Sequence, residues 1–597
     1  MDVSHVADAA GQATSAEDET PQATKTLYLD VGDFLEYVRS FDSLSGIQRV
    51  VAHLLQDLYR YGAAHPERAI VPVVLDHGAG EVCSLAPPLL QQMIEAFADA
   101  RSNRERLNRA IDAVHRWRVP VEPASGDILA IPGVFWGYPH YDLVRQLRER
   151  GVRFVVLVHD LLQINQPELV HEGATIAFRR SLVDALSVAD AVLTNSEFVA
   201  GEVREFLRKR TSFTLPVKAV PLATARARPR GDAPLSDRIR DILSEPYVLS
   251  VSTIEARKNH MYMIRVWETL IRNNLPNIPL LVFVGKPGWG FEPVQKYLTD
   301  TDSLGGRLHV IHGVSDHELS ALYDHALFTM FPSLAEGFGL PVGESLAHGT
   351  PCIASHRASL PEVGGRFARY VDPNEPRDGA AVVERLLRNP GELARWKQEI
   401  ARGFHPRSWS DFAHDFLDAV FAVEGRPGPI NGLLEPAEIV GMGRKEIERR
   451  EALGERLTYL APARVTGWRP AEDWVCWTSS RRATLRFSTP LPPFALVTLY
   501  LMLQLPEGTT PESVSVVAEA GGPPTRLTQI EVAPKWVIVD GLTDAQGDVE
   551  VALVSEGVFG RPDPRELFVG LRALAYCASG DRPARLTMME RLSVGRY

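Results

Sequence analysis

From residue 26 onward, short apolar runs alternate with stretches whose apolar residues recur every three or four positions. TLYLDV (26–31), AIVPVVLD (69–76), DILAIPG (127–133), RFVVLVHD (153–160), AVLTNSE (191–197) and VKAVPLA (217–223) read as strands. Near-continuous apolar runs rich in β-branched residues suit strands buried on both faces. SGIQRVVAHLLQDLYRYG (45–62) reads as a helix opened by serine and closed by glycine. This alternation predicts an α/β domain with a mainly parallel sheet. RARPRGDAPLSDR (226–238) breaks the pattern, which restarts with YVLSVST (247–253), a helix near 260–273, LLVFVGK (280–286), LHVIHG (308–313), LFTMFPS (327–333), PCIASH (351–356) and RYVD (369–372). Two such units in tandem imply a cleft between them, with ligands beyond the carboxyl ends of the strands.

A second break, RPGPINGLLEPAE (426–438), precedes a change of character. LRFSTP, LVTLYLMLQL, VSVVAEA, WVIVDGL and DVEVALVSE alternate with Pro/Gly turns, as in an all-β sandwich or jelly roll. ELFVGLRALAYC (566–577) reads as a late strand pair. The expected domains are therefore a disordered tail over 1–24, α/β units over 25–225 and 226–425, a linker over 426–459 and a β domain over 460–597. The last helix of the second unit can cross back to the first.

Composition narrows the function. A chain of 597 residues with 45% hydrophobic content is too long for one core. A net charge of −11 argues against a nucleic-acid partner. Cys83, Cys352, Cys476 and Cys577 are far apart, which fits a reducing compartment and neither a disulfide framework nor a zinc site. The first 24 residues lack a signal-peptide pattern, and the longest apolar run, FALVTLYLMLQL (494–505), is too short to span a bilayer. A cytoplasmic location is expected.

The chemistry concentrates in AEGFGLPVGESLAHGTPCIAS (335–355), where Glu336 and Glu344 stand eight positions apart among Gly337, Gly339, Gly343 and Gly349. A loop that leaves a strand and feeds a helix offers free backbone N–H groups and the positive end of the helix. Glycines let the backbone approach a ligand closely, and the carboxylates can accept pairs of hydroxyl protons. A phosphorylated polyhydroxyl ligand suits that surface. Any one of these residues alone would read as an ordinary turn or helix start; their density favours a ligand.

EGFGLPVGE (336–344) resembles the E-x7-E motif of retaining GT-B glycosyltransferases of family 4. TIEARKNH (253–260), VFVGKPGWG (282–290), HGVSDHELSALY (312–323), SLPEVGG (359–365) and VDP (371–373) resemble its other blocks. In the first unit SGIQRVV (45–51), VHDLLQINQPE (158–168) and TNSEFVAGEV (194–203) are similar to its landmarks. The resemblance spans roughly residues 26 to 425. It implies two Rossmann-like domains facing a cleft, the first on the acceptor side and the second binding a nucleotide sugar, with the β domain as an addition.

By the same resemblance, Glu336 holds donor-sugar hydroxyls, and Gly337, Phe338, Gly339 and Leu340 face the sugar and diphosphate. Glu344 binds the ribose, Lys258 with Arg257 neutralises the diphosphate, and Gly313 and Val314 belong to the nucleotide site. His159 contacts sugar or acceptor, and Gly46 lets a ligand approach. Many members carry arginine five residues before the lysine; Thr253 stands there, and Arg257 is its substitute. Read without the resemblance, His159–Asp160 is also an ordinary structural hydrogen-bonding pair, and Arg49 caps or solvates its helix. The implied reaction is same-face transfer without a metal, and DTD (300–302) reads as a solvated turn.

TIEARKNH and VGKPGWG are similar to bacterial mannosyltransferases of O-antigen and exopolysaccharide assembly, which makes GDP-mannose the leading donor. UDP-glucose and dTDP- or GDP-deoxysugars stay open. The implied acceptor is a lipid-linked or oligosaccharide glycan at the inner membrane face. Residues 86–118 carry an apolar stripe and arginines at 101, 104, 106, 109, 116 and 118. That pattern suits a helix lying on an anionic membrane, or simply a solvated helix face. Trp468, Trp474, Trp477 and Trp536 read mostly as core, alternatively as a glycan platform. The rivals are a GT-B scaffold without turnover and a GT-B epimerase or phosphorylase.

Overall fold

The computed structural model describes residues 25–98, 103–137, 141–210, 214–225, 234–425, 434–443, 445, 463–469, 472–527, 530–557 and 567–593. The expected tail over 1–24 and most of the two breaks lie outside the described residues.

The first domain holds β1 (Lys25–Asp30), β2 (Arg68–Asp76), β3 (Glu81–Ser84), β4 (Val119–Val121), β5 (Ile128–Ile131), β6 (Arg153–Val158), β7 (Ala191–Thr194) and β8 (Val217–Ala219). They form one sheet in the order β4-β3-β2-β1-β5-β6-β7-β8. It is parallel from β2 to β8. The edge strands β3 and β4 run antiparallel, a feature the apolar pattern did not reveal. They are short, and β4 carries Pro120, which only an edge tolerates. Residues 86–118 form two helices, Pro87–Ala98 and Arg104–Arg116, rather than one. Leu107, Ile111 and Val114 of the second are buried, while Arg106, Arg109 and Arg116 are exposed.

The second domain restarts the pattern with β9 (Tyr247–Val251), β10 (Leu280–Val284), β11 (Leu308–Ile311), β12 (Thr329–Phe331), β13 (Cys352–Ser355) and β14 (Arg369–Val371), in the parallel order β11-β10-β9-β12-β13-β14. The helix Trp409–Phe421 leaves this domain and packs on the helix Gly46–Ala64 of the first. Tyr61 Oη and Arg68 Nη1 both donate to Asp418, each at 2.6 Å. Where the chain crosses between domains, the N–H groups of Thr224 and Ala225 both bond to the Arg407 carbonyl.

The third domain is a sandwich. One sheet contains β15 (Val440–Gly441), β17 (Cys476–Trp477), β19 (Leu496–Gln504), β22 (Lys535–Leu542) and β24 (Gly570–Ala578). The other contains β16 (Ala463–Thr466), β18 (Arg482–Ser488), β20 (Val514–Glu519), β21 (Thr525–Leu527) and β23 (Asp548–Gly557). Three expectations change here. The domain begins earlier than 460, because Leu434 is buried in its core and β15 pairs with β24. The described residues of ELFVGLRALAYC contribute one strand, β24, not a pair. The domain is also not wholly β: the helix Arg582–Ser593 covers the outer face of β19, where Tyr500 and Met502 pack with Met588. That cover explains why FALVTLYLMLQL shows no polar alternation. Trp477 is buried, Trp468 and Trp536 are half-buried, and Trp474 is exposed. The four cysteines are buried free thiols. Among the described residues no helix is long and apolar enough to cross a membrane.

Candidate active site

The carboxyl ends of β9 and β12 lie side by side in the second sheet, so the loops that follow them meet. After β9, a single 3-10 turn, Ala256–Lys258, presents two cations. After β12, the chain runs through Glu336 to the helix Leu340–Ala347, whose N-cap Gly339 has φ +100°, a conformation that favours glycine. The Leu334 N–H bonds to the Arg257 carbonyl at 2.8 Å. Asn259 Nδ2 donates to the carbonyls of Pro332 (3.2 Å) and Pro373 (2.8 Å), which ties three loops together.

Glu336 is thereby brought against both cations. Lys258 Nζ donates to Oε1, and Arg257 Nη1 to Oε2 at 2.9 Å. Glu336 is only 6% exposed and Lys258 is buried beside it. Burial alone would raise the Glu336 pKa, but Lys258 and Arg257 outweigh it and hold the carboxyl below its ordinary value. Burial lowers Lys258, Arg257 adds to that, and Glu336 opposes it. Arg257 stays charged, because the carboxylates of Glu336, Glu255 and Asp160 overcome its burial. Asp160, which sequence reasoning treated only as the neighbour of His159, faces this cluster and is raised chiefly by burial.

The first domain closes on the same loop. Ser196 Oγ donates to the Gly337 carbonyl at 2.7 Å, and Asn195 Nδ2 to the His159 carbonyl at 2.9 Å. A Cβ on Gly337 would collide with that same His159 carbonyl. Glu362 of the second domain accepts the backbone N–H groups of Glu197 (2.8 Å) and Phe198 (3.2 Å), the first turn of a first-domain helix. Ser196 and Asn195 lie in the block TNSEFVAGEV, but their bond partners could not be read there. His159 is buried, and its Nε2–H donates to the Pro132 carbonyl at 2.8 Å. That carbonyl can only accept, which leaves Nδ1 as the acceptor of the neutral ring. Asp33, unmentioned by the sequence reading, accepts the Val134 N–H at 2.9 Å on the same sheet edge.

Burial pushes His159 down to about 4 and, with Lys258, His260 to about 3. An unfolded imidazole takes up its proton near 6.5. Between these values the unfolded chain binds more protons, so each ring removes stability as pH falls from about 6.5, at about 1.4 kcal/mol per pH unit. Thermal melts between pH 7 and 5 should show a shallower pH slope for His159→Asn than for the parent. Equal slopes would assign the acid sensitivity elsewhere.

Beyond this cluster lies a cavity of about 850 Å³ shared by both domains. Tyr37, Phe41 and Ser45 line it from the first domain, and Thr253, Lys286, Gly313 and Val314 from the second. Gly46 stands next to it, 3.9 Å from the Leu340 side chain as measured from a Cβ position. Gly313 has φ +76°. Glu344 is 2% exposed; its Oε2 accepts from Tyr323 Oη at 3.2 Å, and its Oε1 accepts from Arg49 Nη2 at 2.6 Å. Arg49 therefore neither caps nor solvates its helix: it spans the cleft. A second pair, Lys286–Asp42 at 3.2 Å, spans it at the surface. The DTD stretch ends the helix Glu292–Asp300 in a turn with positive φ at Asp302.

Residues 236–402 match the family described as Glycosyl transferases group 1. The chain is 28% identical over 232 residues to O-antigen chain mannosyltransferase B of Escherichia coli, covering 38% of this chain and 60% of that protein. It is 42% identical over 106 residues to the MMP alpha-(1->4)-mannosyltransferase of Mycolicibacterium hassiacum, covering 17% of this chain and 26% of that one. The chain spans less than two thirds of the length of these curated relatives. Among solved structures, the sucrose-phosphate synthase of Thermosynechococcus elongatus overlays 66% of this chain and 98% of its own with a TM-score of 0.42 at 18% identity. Two Rossmann-like domains facing a cleft place the fold in the GT-B class, and it is the second of them that matches the glycosyl transferases group 1 model.

Proposed function

We propose that this protein is a retaining glycosyltransferase of family 4 that moves a hexose from a nucleotide sugar to a glycan acceptor in bacterial surface polysaccharide biosynthesis. The observation that carries the reading is the meeting of Glu336, Lys258 and Arg257 at one end of a closed cleft whose other end holds Glu344 and the cavity. GDP-mannose is the leading donor, supported by relatives named as mannosyltransferases, two of them of the O-antigen chain. The acceptor is a lipid-linked or oligosaccharide glycan. The enzyme works in the cytoplasm, with peripheral membrane contact through the exposed Arg106, Arg109, Arg116 and Trp117.

The acceptor hydroxyl attacks the anomeric carbon on the face from which the diphosphate departs. The bond from that carbon to the phosphate oxygen breaks as the bond to the acceptor oxygen forms, and the acceptor proton passes to the departing phosphate. No protein base and no metal are needed in this reaction. Lys258, Arg257 and the amides at the start of the helix Leu340–Ala347 carry the charge that develops on the leaving group. Glu336 holds sugar hydroxyls, with Gly337 and Phe338 against the sugar, and Nδ1 of the neutral His159 accepts another hydroxyl. Glu344 takes the ribose, and Gly313 and Val314 face the nucleotide.

A calorimetric screen of GDP-mannose, UDP-glucose, UDP-GlcNAc, dTDP-rhamnose and GDP-fucose tests this reading. One donor should bind selectively, and Glu344→Ala and Lys258→Ala should each weaken it at least about tenfold. If no nucleotide sugar binds the intact chain, a GT-B scaffold without turnover becomes the better description.

A further inference from the structure

We infer that Arg49 is a positioning residue that holds the ribose place at Glu344 while the donor is absent and releases it when the donor enters. The inference rests on the proposed role of Glu344 in donor binding. It begins from a conflict in the geometry: the carboxylate expected to accept nucleotide hydroxyls already accepts a guanidinium N–H at 2.6 Å and a tyrosine hydroxyl at 3.2 Å. The guanidinium comes from the opposite domain, 295 positions away in the chain. A carboxylate oxygen bound end-on by arginine has little room for a further pair of hydroxyls on that side, so donor and Arg49 compete for Oε1.

The surroundings show how Arg49 can let go. It sits in the first turn of the helix Gly46–Ala64, where the helix end is positive and an arginine is disfavoured. Glu344 offsets that only while the cleft is closed. Arg49 also lines the cavity, and while it is paired with Glu344 its guanidinium lies 5.8 Å from the ring centroid of Trp409, a cation–π contact that can hold it when the carboxylate is taken by another ligand. Trp409 begins the helix that returns to the first domain and stacks on His53 with ring centroids 4.2 Å apart. Of the two cross-cleft ion pairs described, Lys286–Asp42 is about half exposed on both sides and holds little. Arg49–Glu344, with Glu344 buried, is the stronger of them, and it acts beside the Ser196–Gly337 and Glu362 contacts that also join the two domains. Arriving ribose hydroxyls thus replace an ion pair between domains by bonds within one domain, and donor binding is coupled to loosening of the cleft.

Calorimetric titration of the full chain with GDP and with UDP, for the parent, Arg49→Ala and Arg49→Lys, tests this. Arg49→Ala should bind the preferred nucleoside diphosphate about tenfold tighter, because the competitor is gone, with Arg49→Lys in between. Small-angle scattering of the nucleotide-free proteins should give a larger radius of gyration for Arg49→Ala than for the parent. A merely structural Arg49 would change the melting temperature and leave nucleotide affinity alone. Weaker binding by Arg49→Ala would instead make the guanidinium a direct donor contact, and unchanged binding would remove it from the binding path; either result overturns the inference. Should Arg49→Ala fail to fold, Arg49→Gln, which keeps most of the stem and removes the charge, should also bind the nucleotide tighter than the parent, and no change there overturns it too. Absence of binding by the parent itself counts against the transferase reading, not against the latch alone.

Discussion

Replacing Lys258 with alanine should lower kcat/KM for transfer about 10³-fold, the effect of losing one fixed charge aimed at a developing anion in a water-poor site. The ammonium is buried against Glu336 and approaches the Phe331 ring at 5.1 Å, so its position is set before any donor arrives. The variant should still fold. Glu336 keeps Arg257 at 2.9 Å, so no buried carboxylate is left without a cation, which is the situation that destabilises strongly. Glu336→Ala is the opposite case: it leaves Lys258 and Arg257 facing each other and should cost about 3–5 kcal/mol of stability as well as activity. Steady-state transfer assays alongside thermal melts separate the two. A Lys258→Ala enzyme within tenfold of the parent would take the lysine out of charge stabilisation.

Gly337→Ala should lower kcat at least about 100-fold and lower the melting temperature as well. The added methyl would run into the His159 carbonyl and come within 3.1 Å of Asp160 Cβ. Backbone cannot yield as a flexible side chain can, so the two domains must separate at this point. One apolar cluster runs through both domains, so stability falls as well, and the loop bearing Glu336 no longer meets the edge bearing His159. A displacement of about 1 Å between reacting groups is enough for a loss of this size. Near-parental kcat would mean that this contact is incidental to the reacting geometry. Gly343→Ala is a related case, because the added methyl would meet Thr224 Cβ and Cγ2 at 2.8 Å and its backbone Cα at 3.0 Å, where the chain crosses between the domains.

Much of the site was legible in the sequence because its parts are local. The spacing of Glu336 and Glu344 puts one on the loop and the other one turn into the helix, and glycine at 339 is what a helix start at φ +100° demands. Arg257 and Lys258 stood out because cations just before a helix are disfavoured unless an anion is near, and the anion is Glu336. Arg49 was misread for the converse reason: its partner lies in another domain, and nothing in SGIQRVV indicates that a carboxylate will stand opposite. His159 was found at a strand end, yet its neutral state follows from burial and the Pro132 carbonyl, neither visible in RFVVLVHD.

By itself, the sequence determined the parallel strands of both α/β sheets to within a few residues, the break between α/β and β character, and which loop bears the chemistry. Each of these depends on a residue's immediate neighbours: apolar period, turn residues and helix ends act over a few positions. Tertiary structure alone decided that the helix Arg582–Ser593 covers β19 and that Arg49 closes on Glu344. Those contacts join segments far apart in the chain. A buried face or an isolated charge encodes only that it must be covered or paired, and the packing of the whole chain selects the partner.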